Sequence, residues 1–295
     1  MLFKPPTSDE VAVALPDWKV REQLGKGTFK VAYRAALSGC DEALKLFFVP
    51  DFEDDDEGRS ARDKFVARFH RELRILKDCK TPHLVKLGNL EPTDVEIGRR
   101  SFIAYSEQLL EGKSVRDLIE TKAQPDDADV RKLLSALVAA IGELWRKHQC
   151  VHRDIKPANI MLNRSTGDFV LLDLGVSFVI GGTRYSSGEI SPGTPIYRAP
   201  EMLDPDYAGK LNARTDLYCA GVTAFEFASA QHPLGPFDDA MSVTSRILRS
   251  APQSLSALRP DLPEATVQII ERLNRKRPAL RGNLELIESE LSIRP

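Results

Sequence analysis

The chain has 295 residues, 42% of them hydrophobic and 28% charged, which fits a soluble globular protein built as one large or two-lobed unit. Its formal net charge of −2 gives no electrostatic reason to expect nucleic acid or a membrane surface as partner. Four scattered cysteines (Cys40, Cys79, Cys150 and Cys219) form no CxxC pair and follow no signal peptide. Neither structural zinc nor a disulfide framework is expected, and reduced thiols in a cytoplasmic protein are the reading.

Residues 1–16, with Pro5, Pro6 and Pro16, read as an irregular lead-in. Strand-like runs at 18–24 and 31–36 flank the turn Gly25-Lys-Gly-Thr28 and suggest a hairpin. Residues 42–47 continue the sheet. The like-charged run Asp51-Phe-Glu-Asp-Asp-Asp-Glu57 reads as a solvated loop, with a partner-contacting insertion as the sharper alternative. Phe65, Phe69, Leu73 and Leu76 recur at helical spacing within 62–77. Two further strands are expected around 84–90 and 101–106. After Gly112 the pattern turns helical, at 115–120, at 130–148 and again beyond Asn212. A strand-rich first third and a helix-rich remainder imply two lobes that change over near 107–112. The longest apolar stretches, around 133–145 and 217–230, are interrupted by polar residues and fall short of the roughly 20 that a membrane span needs.

The stretch His152-Arg-Asp-Ile-Lys-Pro-Ala-Asn159 carries the most specific chemistry. It precedes the apolar run Ile160-Met-Leu162, and Phe169-Val-Leu-Leu172 then leads into Asp173-Leu-Gly175. Phosphoryl transfer needs a carboxylate near the incoming hydroxyl and oxygen ligands that hold Mg²⁺ against phosphates. Asp154, Asn159 and Asp173 are a set of that type.

In order and spacing these motifs resemble the eukaryotic-type (Hanks-type) serine/threonine protein kinase family, over about residues 18–295. The glycine-rich loop matches as Gly25-Lys-Gly-Thr-Phe-Lys30, the third-strand lysine as Lys45 and the helix glutamate as Glu72. The end of the activation segment matches as Ala199-Pro-Glu201. The resemblance implies an α+β, bilobal fold: a lead-in at 1–16, a β-rich nucleotide-binding lobe with one main helix at 17–107, and an α-helical catalytic lobe at 108–295. It implies ATP with Mg²⁺, or Mn²⁺, as cofactor and protein substrates as partners, with a regulatory partner or self-association as a further option.

The roles follow residue by residue from the same resemblance. Asp154 handles the substrate hydroxyl, Lys156 offsets charge on the transferring group, and Thr194 contacts both. Asn159 and Asp173 hold the metal. Lys45 binds phosphates while paired with Glu72. The loop residues Gly25, Lys26, Gly27 and Thr28 cover the phosphates, and Ala32, Ala43 and Met161 line the adenine. Glu201 and Arg277 are expected to form a buried structural ion pair, and Asp216 to hold catalytic-loop backbone. His152, Leu174 and Leu76 are expected to pack as a spine. Arg153 is expected to meet a phosphate placed within 183–191 by autophosphorylation. The segment offers Ser177, Thr183, Ser186, Ser187 and Ser191.

Three positions depart from the pattern. Lys30 replaces the third glycine of the loop; it either faces solvent or carries part of the phosphate-binding charge. Ala32 stands where a valine usually covers the adenine, a loss of about 1 kcal/mol or less of packing. Leu174 replaces phenylalanine without touching the metal-binding carboxylate. Lys156, two residues after Asp154, points to serine or threonine as acceptor. A pseudokinase scaffold and a small-molecule kinase are the competing readings. The first normally loses Lys45, Asp154 or Asp173, all present here, and the second generally lacks the Ala-Pro-Glu ending.

Overall fold

A computed structural model describes residues 3–122, 124–174, 195–203, 211–237 and 241–293. They fall into two compact units, the first holding described residues 3–78 and 85–110 and the second the remainder.

The first unit is an antiparallel sheet of β1 (Trp18–Lys26), β2 (Lys30–Leu37), β3 (Cys40–Val49), β4 (Thr93–Ile97) and β5 (Arg100–Gln108), in the order β1-β2-β3-β5-β4. Side chains alternate across a strand, so the register assigns faces. Lys45, Phe47, Ile103, Tyr105 and Glu107 share one face, and Leu44, Leu46, Phe48 and Phe102 the other. Helix α2 (Asp56–Asp78) covers part of the first face: Phe69 stacks on Phe47 with ring centroids 4.1 Å apart and meets Tyr105 edge-on at 5.4 Å. The helix starts inside the acidic run, which is therefore not loop throughout. Asp56 and Glu57 lie in its first turn, where carboxylates suit the positive end of the helix dipole, and Asp55 Oδ1 accepts from Gly58 N.

The opposite face is covered by the N-terminal segment, which is not irregular throughout. Residues Ser8–Ala14 form α1, closed by a reciprocal capping box between Thr7 and Glu10. Phe3 stacks on Phe48 at 4.9 Å, and the Tyr33 hydroxyl donates to Pro6 O. The strand expected around 84–90 is instead an irregular stretch beside β5. Three backbone bonds join it there, from Gln108 N to Lys86 O, Gly88 N to Ser106 O and Ser106 N to Leu90 O. A β-carbon on Gly88 would lie 2.3 Å from Glu42 Oε2, so only glycine lets the chain pass there.

The second unit carries a small antiparallel sheet of β6 (Gly112–Ser114), β7 (Ile160–Asn163) and β8 (Phe169–Leu171) on a helical body. The body contains α3 (Val115–Glu120), α4 (Asp127–His148), α5 (Ala213–Ser229), α6 (Val243–Arg249), α7 (Leu255–Leu258), α8 (Glu264–Leu273) and α9 (Leu284–Ser292). Helix α5 is buried along almost its whole length, including Thr215, Asp216 and Glu226, and packs against α4 and α8. Among the described residues, no helix is long and apolar enough to cross a membrane.

The ion pair predicted for Glu201 has a different cation. Arg281, fully buried, gives Nη1 to Glu201 Oε1 at 2.6 Å and Nη2 to Oε2 at 2.9 Å. Arg277 is exposed. It precedes the 3-10 turn Pro278–Leu280, and Arg281 follows that turn, so the turn carries Arg281 inward and leaves Arg277 outside.

Candidate active site

The residues expected to carry the chemistry lie in the second unit. Between α4 and β7 the chain makes the loop 149–156 and the 3-10 turn Pro157–Asn159. Asp216 on α5 fixes this loop from below. Its Oδ2 accepts from His152 N at 2.6 Å and its Oδ1 from Arg153 N at 2.9 Å. Burial pushes the Asp216 carboxyl up to about 7, against the pull of those two N–H groups. Arg153 takes a left-handed backbone, φ 69°, which is costly for a side chain with a β-carbon and persists where neighbours enforce it. Asp216 is that neighbour.

Asp154, Lys156 and Asn159 come together as expected. Lys156 Nζ lies 2.9 and 2.8 Å from the two Asp154 oxygens. Asn159 Nδ2 donates to Asp154 Oδ2 at 2.7 Å and to Asp154 O at 2.9 Å. With its amide nitrogen turned inward, Asn159 presents its carbonyl Oδ1 as the remaining acceptor. That is the donor type Mg²⁺ takes, so the residues present fit the metal. Among the described residues no group of three or more His, Cys, Asp or Glu could hold a metal ion. Two bonds tie this loop to the strand that delivers Asp173: Leu172 N to Asn159 O at 2.8 Å, and a contact between His152 Nε2 and Leu172 O at 3.2 Å. Asp173, the next residue, is also left-handed at φ 49°. His152 and Leu174 are buried and Met161 is half-buried on β7.

The residues expected to bind the nucleotide lie, Met161 apart, in the first unit. Gly25 and Lys26 pair with Ala32 and Val31, and Gly27 N donates to Lys30 O at 2.7 Å, closing the loop. A β-carbon at Gly25 would meet nothing within 4 Å, so the loop leaves room for a group beneath it. Thr28 is exposed and Lys30 half-exposed. Ala32 sits opposite Lys45, and Ala43 opposite Glu107. Lys45 is buried, and its Nζ lies 2.6 Å from Glu107 Oε2. Glu72, predicted as the partner of Lys45, has Oε1 3.9 Å from Arg68 Nε. Leu76 is buried in α2.

Sequence reasoning missed Glu107. The available signal was its phase: in Phe102-Ile-Ala-Tyr-Ser-Glu107 a carboxylate alternates with Ile103 and Tyr105, both buried. It also missed the cluster in which Arg116 Nη1 meets Glu226 Oε1 at 3.0 Å while the Tyr197 hydroxyl bonds to both residues. This ties α3, α5 and the 3-10 turn Pro195–Tyr197 together. Gly175, Ser177, Thr183, Ser186, Ser187, Ser191 and Thr194 lie outside the described residues.

The chain matches the family model of the protein kinase domain over residues 18–290. It is 32% identical over 174 residues to the dual specificity mitogen-activated protein kinase kinase mek-1 of Caenorhabditis elegans, covering 58% of this chain and 48% of that protein. It is 28% identical over 242 residues to the serine/threonine-protein kinase CTR1 of Arabidopsis thaliana, covering 80% and 27%. With the serine/threonine-protein kinase PknL of Mycobacterium tuberculosis it shares 26% over 300 residues, covering 97% and 70%. The chain thus spans less than half the length of the first two of these relatives.

Proposed function

The chain belongs to the protein kinase family, and from that premise we propose that it transfers the γ-phosphoryl group of Mg-ATP to serine or threonine hydroxyls of protein substrates. The observation that carries the reading is the cluster of Asp154, Lys156 and Asn159 on a loop anchored by Asp216. Residues 17–107 bind the nucleotide and residues 108–295 the acceptor. The Asp154 carboxylate orients the acceptor hydroxyl and takes up its proton as the oxygen bonds to the γ-phosphorus and the bond to the β–γ bridging oxygen breaks, releasing ADP. Lys156, already on Asp154, offsets negative charge on the equatorial oxygens. Lys45 holds the nonreacting phosphates, with Gly25, Lys26, Gly27 and Thr28 above them, and Ala32, Ala43 and Met161 flank the base. Asn159 Oδ1 and the Asp173 carboxylate would hold the metal, which would supply Lewis-acid neutralisation of phosphate charge. Thr194 faces the acceptor, and autophosphorylation falls within 183–191.

Selection of serine or threonine rests on Lys156 and on the kinship with CTR1 and PknL; the likeness to mek-1, named as dual specificity, makes tyrosine the alternative acceptor to score. The test incubates the protein with magnesium, a generic protein substrate, and either γ- or α-labelled ATP. Label passing only from the γ position to serine or threonine is the expected result. Transfer from the α position indicates nucleotidylation, and nucleotide binding without transfer indicates a scaffold; either overturns the reading.

A further inference from the structure

We propose that Glu107 is the carboxylate that positions Lys45 for phosphoryl transfer, a role set by the sheet itself; the proposal deepens the kinase reading above and rests on it. In the β3–β5 ladder Lys45 pairs with Tyr105 and Ala43 with Glu107, so lysine and glutamate are diagonal neighbours on one face. Their charged atoms lie 2.6 Å apart, with side chains only 7% and 3% exposed. Removing one member of such a pair would strand the other charge away from water, a cost that holds the intact pair together.

The side chains beside the pair are small. Ala32 faces Lys45 from β2 and Ala43 faces Glu107 from β3, and Ala32 is only half-buried. An ammonium has three donors; fixing one on Glu107 sets the direction of the others. Both residues stand on hydrogen-bonded strands of one sheet, so the register of β3 and β5 sets the geometry of the pair. Glu107 is thus a positioning residue, acting through Lys45.

The test compares the wild-type chain with E107Q, E107D and E72Q, each confirmed as folded by its thermal unfolding transition. E107Q is expected to lower kcat by about 30-fold, the scale of one lost charge-assisted hydrogen bond, with the KM for ATP changed much less. E107D, which keeps the charge, recovers most of that loss, and E72Q falls by the smaller factor. A second measurement needs no turnover. Nucleotide-free protein is treated with an amine-selective acylating reagent, and the Lys45 peptide is quantified by mass spectrometry. Without the carboxylate, the ammonium loses its proton more readily, so E107Q raises Lys45 labelling several-fold, by a larger factor than E72Q does.

If E107Q does not fold, E107D carries both measurements, with changes in the same directions and smaller. Wild-type kcat and labelling in E107Q, with both altered in E72Q, would overturn the proposal in favour of α2. If the wild type moves no phosphate, the functional reading fails and the positioning role with it. The labelling contrast then still tells whether Glu107 holds the ammonium, so the two failures are read apart.

Discussion

Asp154 owes its orientation to two donors, Lys156 and Asn159, and to its own backbone N–H, which lies 3.4 Å from His152 Nδ1. Its side chain is 38% exposed, so a neutral isostere should be tolerated by the fold. D154N is therefore expected to lose about 10²–10⁴-fold in kcat, the range for one general acid–base group, with an unfolding midpoint close to wild type. Steady-state kinetics and a denaturant titration measure the two halves of that statement. The Arg281–Glu201 pair predicts the reverse pattern. R281M leaves the Glu201 carboxylate buried without its cation and should cost about 3–5 kcal/mol in guanidinium unfolding. The Lys30 alternatives separate just as simply: K45M abolishes transfer while K30M weakens it modestly. Near-normal transfer in K45M with none in K30M would move the phosphate-binding charge to the loop.

At the scale of the elements, α4 is joined to the turn before it in space by one carboxylate. Glu143 accepts from Lys80 N at 2.6 Å, Thr81 N at 2.5 Å and Lys147 Nζ at 2.6 Å. Desolvation opposes the charged form, but Lys147 and the two N–H groups win and hold Glu143 at about 2, below the ordinary 4.5. A folded value below the unfolded one means stability present above pH 4.5 and lost as pH falls through about 2. E143Q should flatten that stretch of the stability profile, measured by urea unfolding at stepped pH. Helix α5 meets α8 where a β-carbon on Gly221 would come 2.5 Å from Leu273 Cβ. G221A is expected to cost about 1–3 kcal/mol through overpacking, read from the same unfolding curves.

Elements with a strong period are legible in the amino-acid order alone. The limits of α3 match the predicted 115–120, and the hairpin of β1 and β2 falls around the predicted glycine turn. Elements whose residues serve two masters are not. In β4, Thr93-Asp-Val-Glu-Ile97, an exposed edge strand, most positions face solvent, so its alternation is polar and hides. Helix α1 is framed by prolines that read as irregular chain; the spacing of Thr7 and Glu10 is the usable sign. The cluster of Asp154, Lys156 and Asn159 is legible because its three members lie within residues 152–159. The Glu201–Arg281 and Lys45–Glu107 pairs are not, because each is made by tertiary folding across 80 residues or between separated strands.

For the molecule as a whole, four free thiols of graded burial report on its integrity. Cys40 is exposed, Cys150 intermediate, and Cys79 and Cys219 buried, with burial holding the Cys219 thiol well above its usual range. A colorimetric disulfide reagent should titrate Cys40 at once and Cys150 more slowly, while Cys79 and Cys219 wait for unfolding. Rapid reaction of all four in native buffer would contradict this arrangement.

The reach of Asp216 has a consequence for synthesis. The carboxylate that seats His152 lies 64 positions further along the chain, and translation delivers residues in order. A nascent polypeptide halted before Asp216 displays the whole catalytic motif yet lacks the anchor that shapes it. Ribosome-stalled fragments of that length should be inert toward acceptors, and extension of the stalled chain well past Asp216 should be needed before transfer is seen.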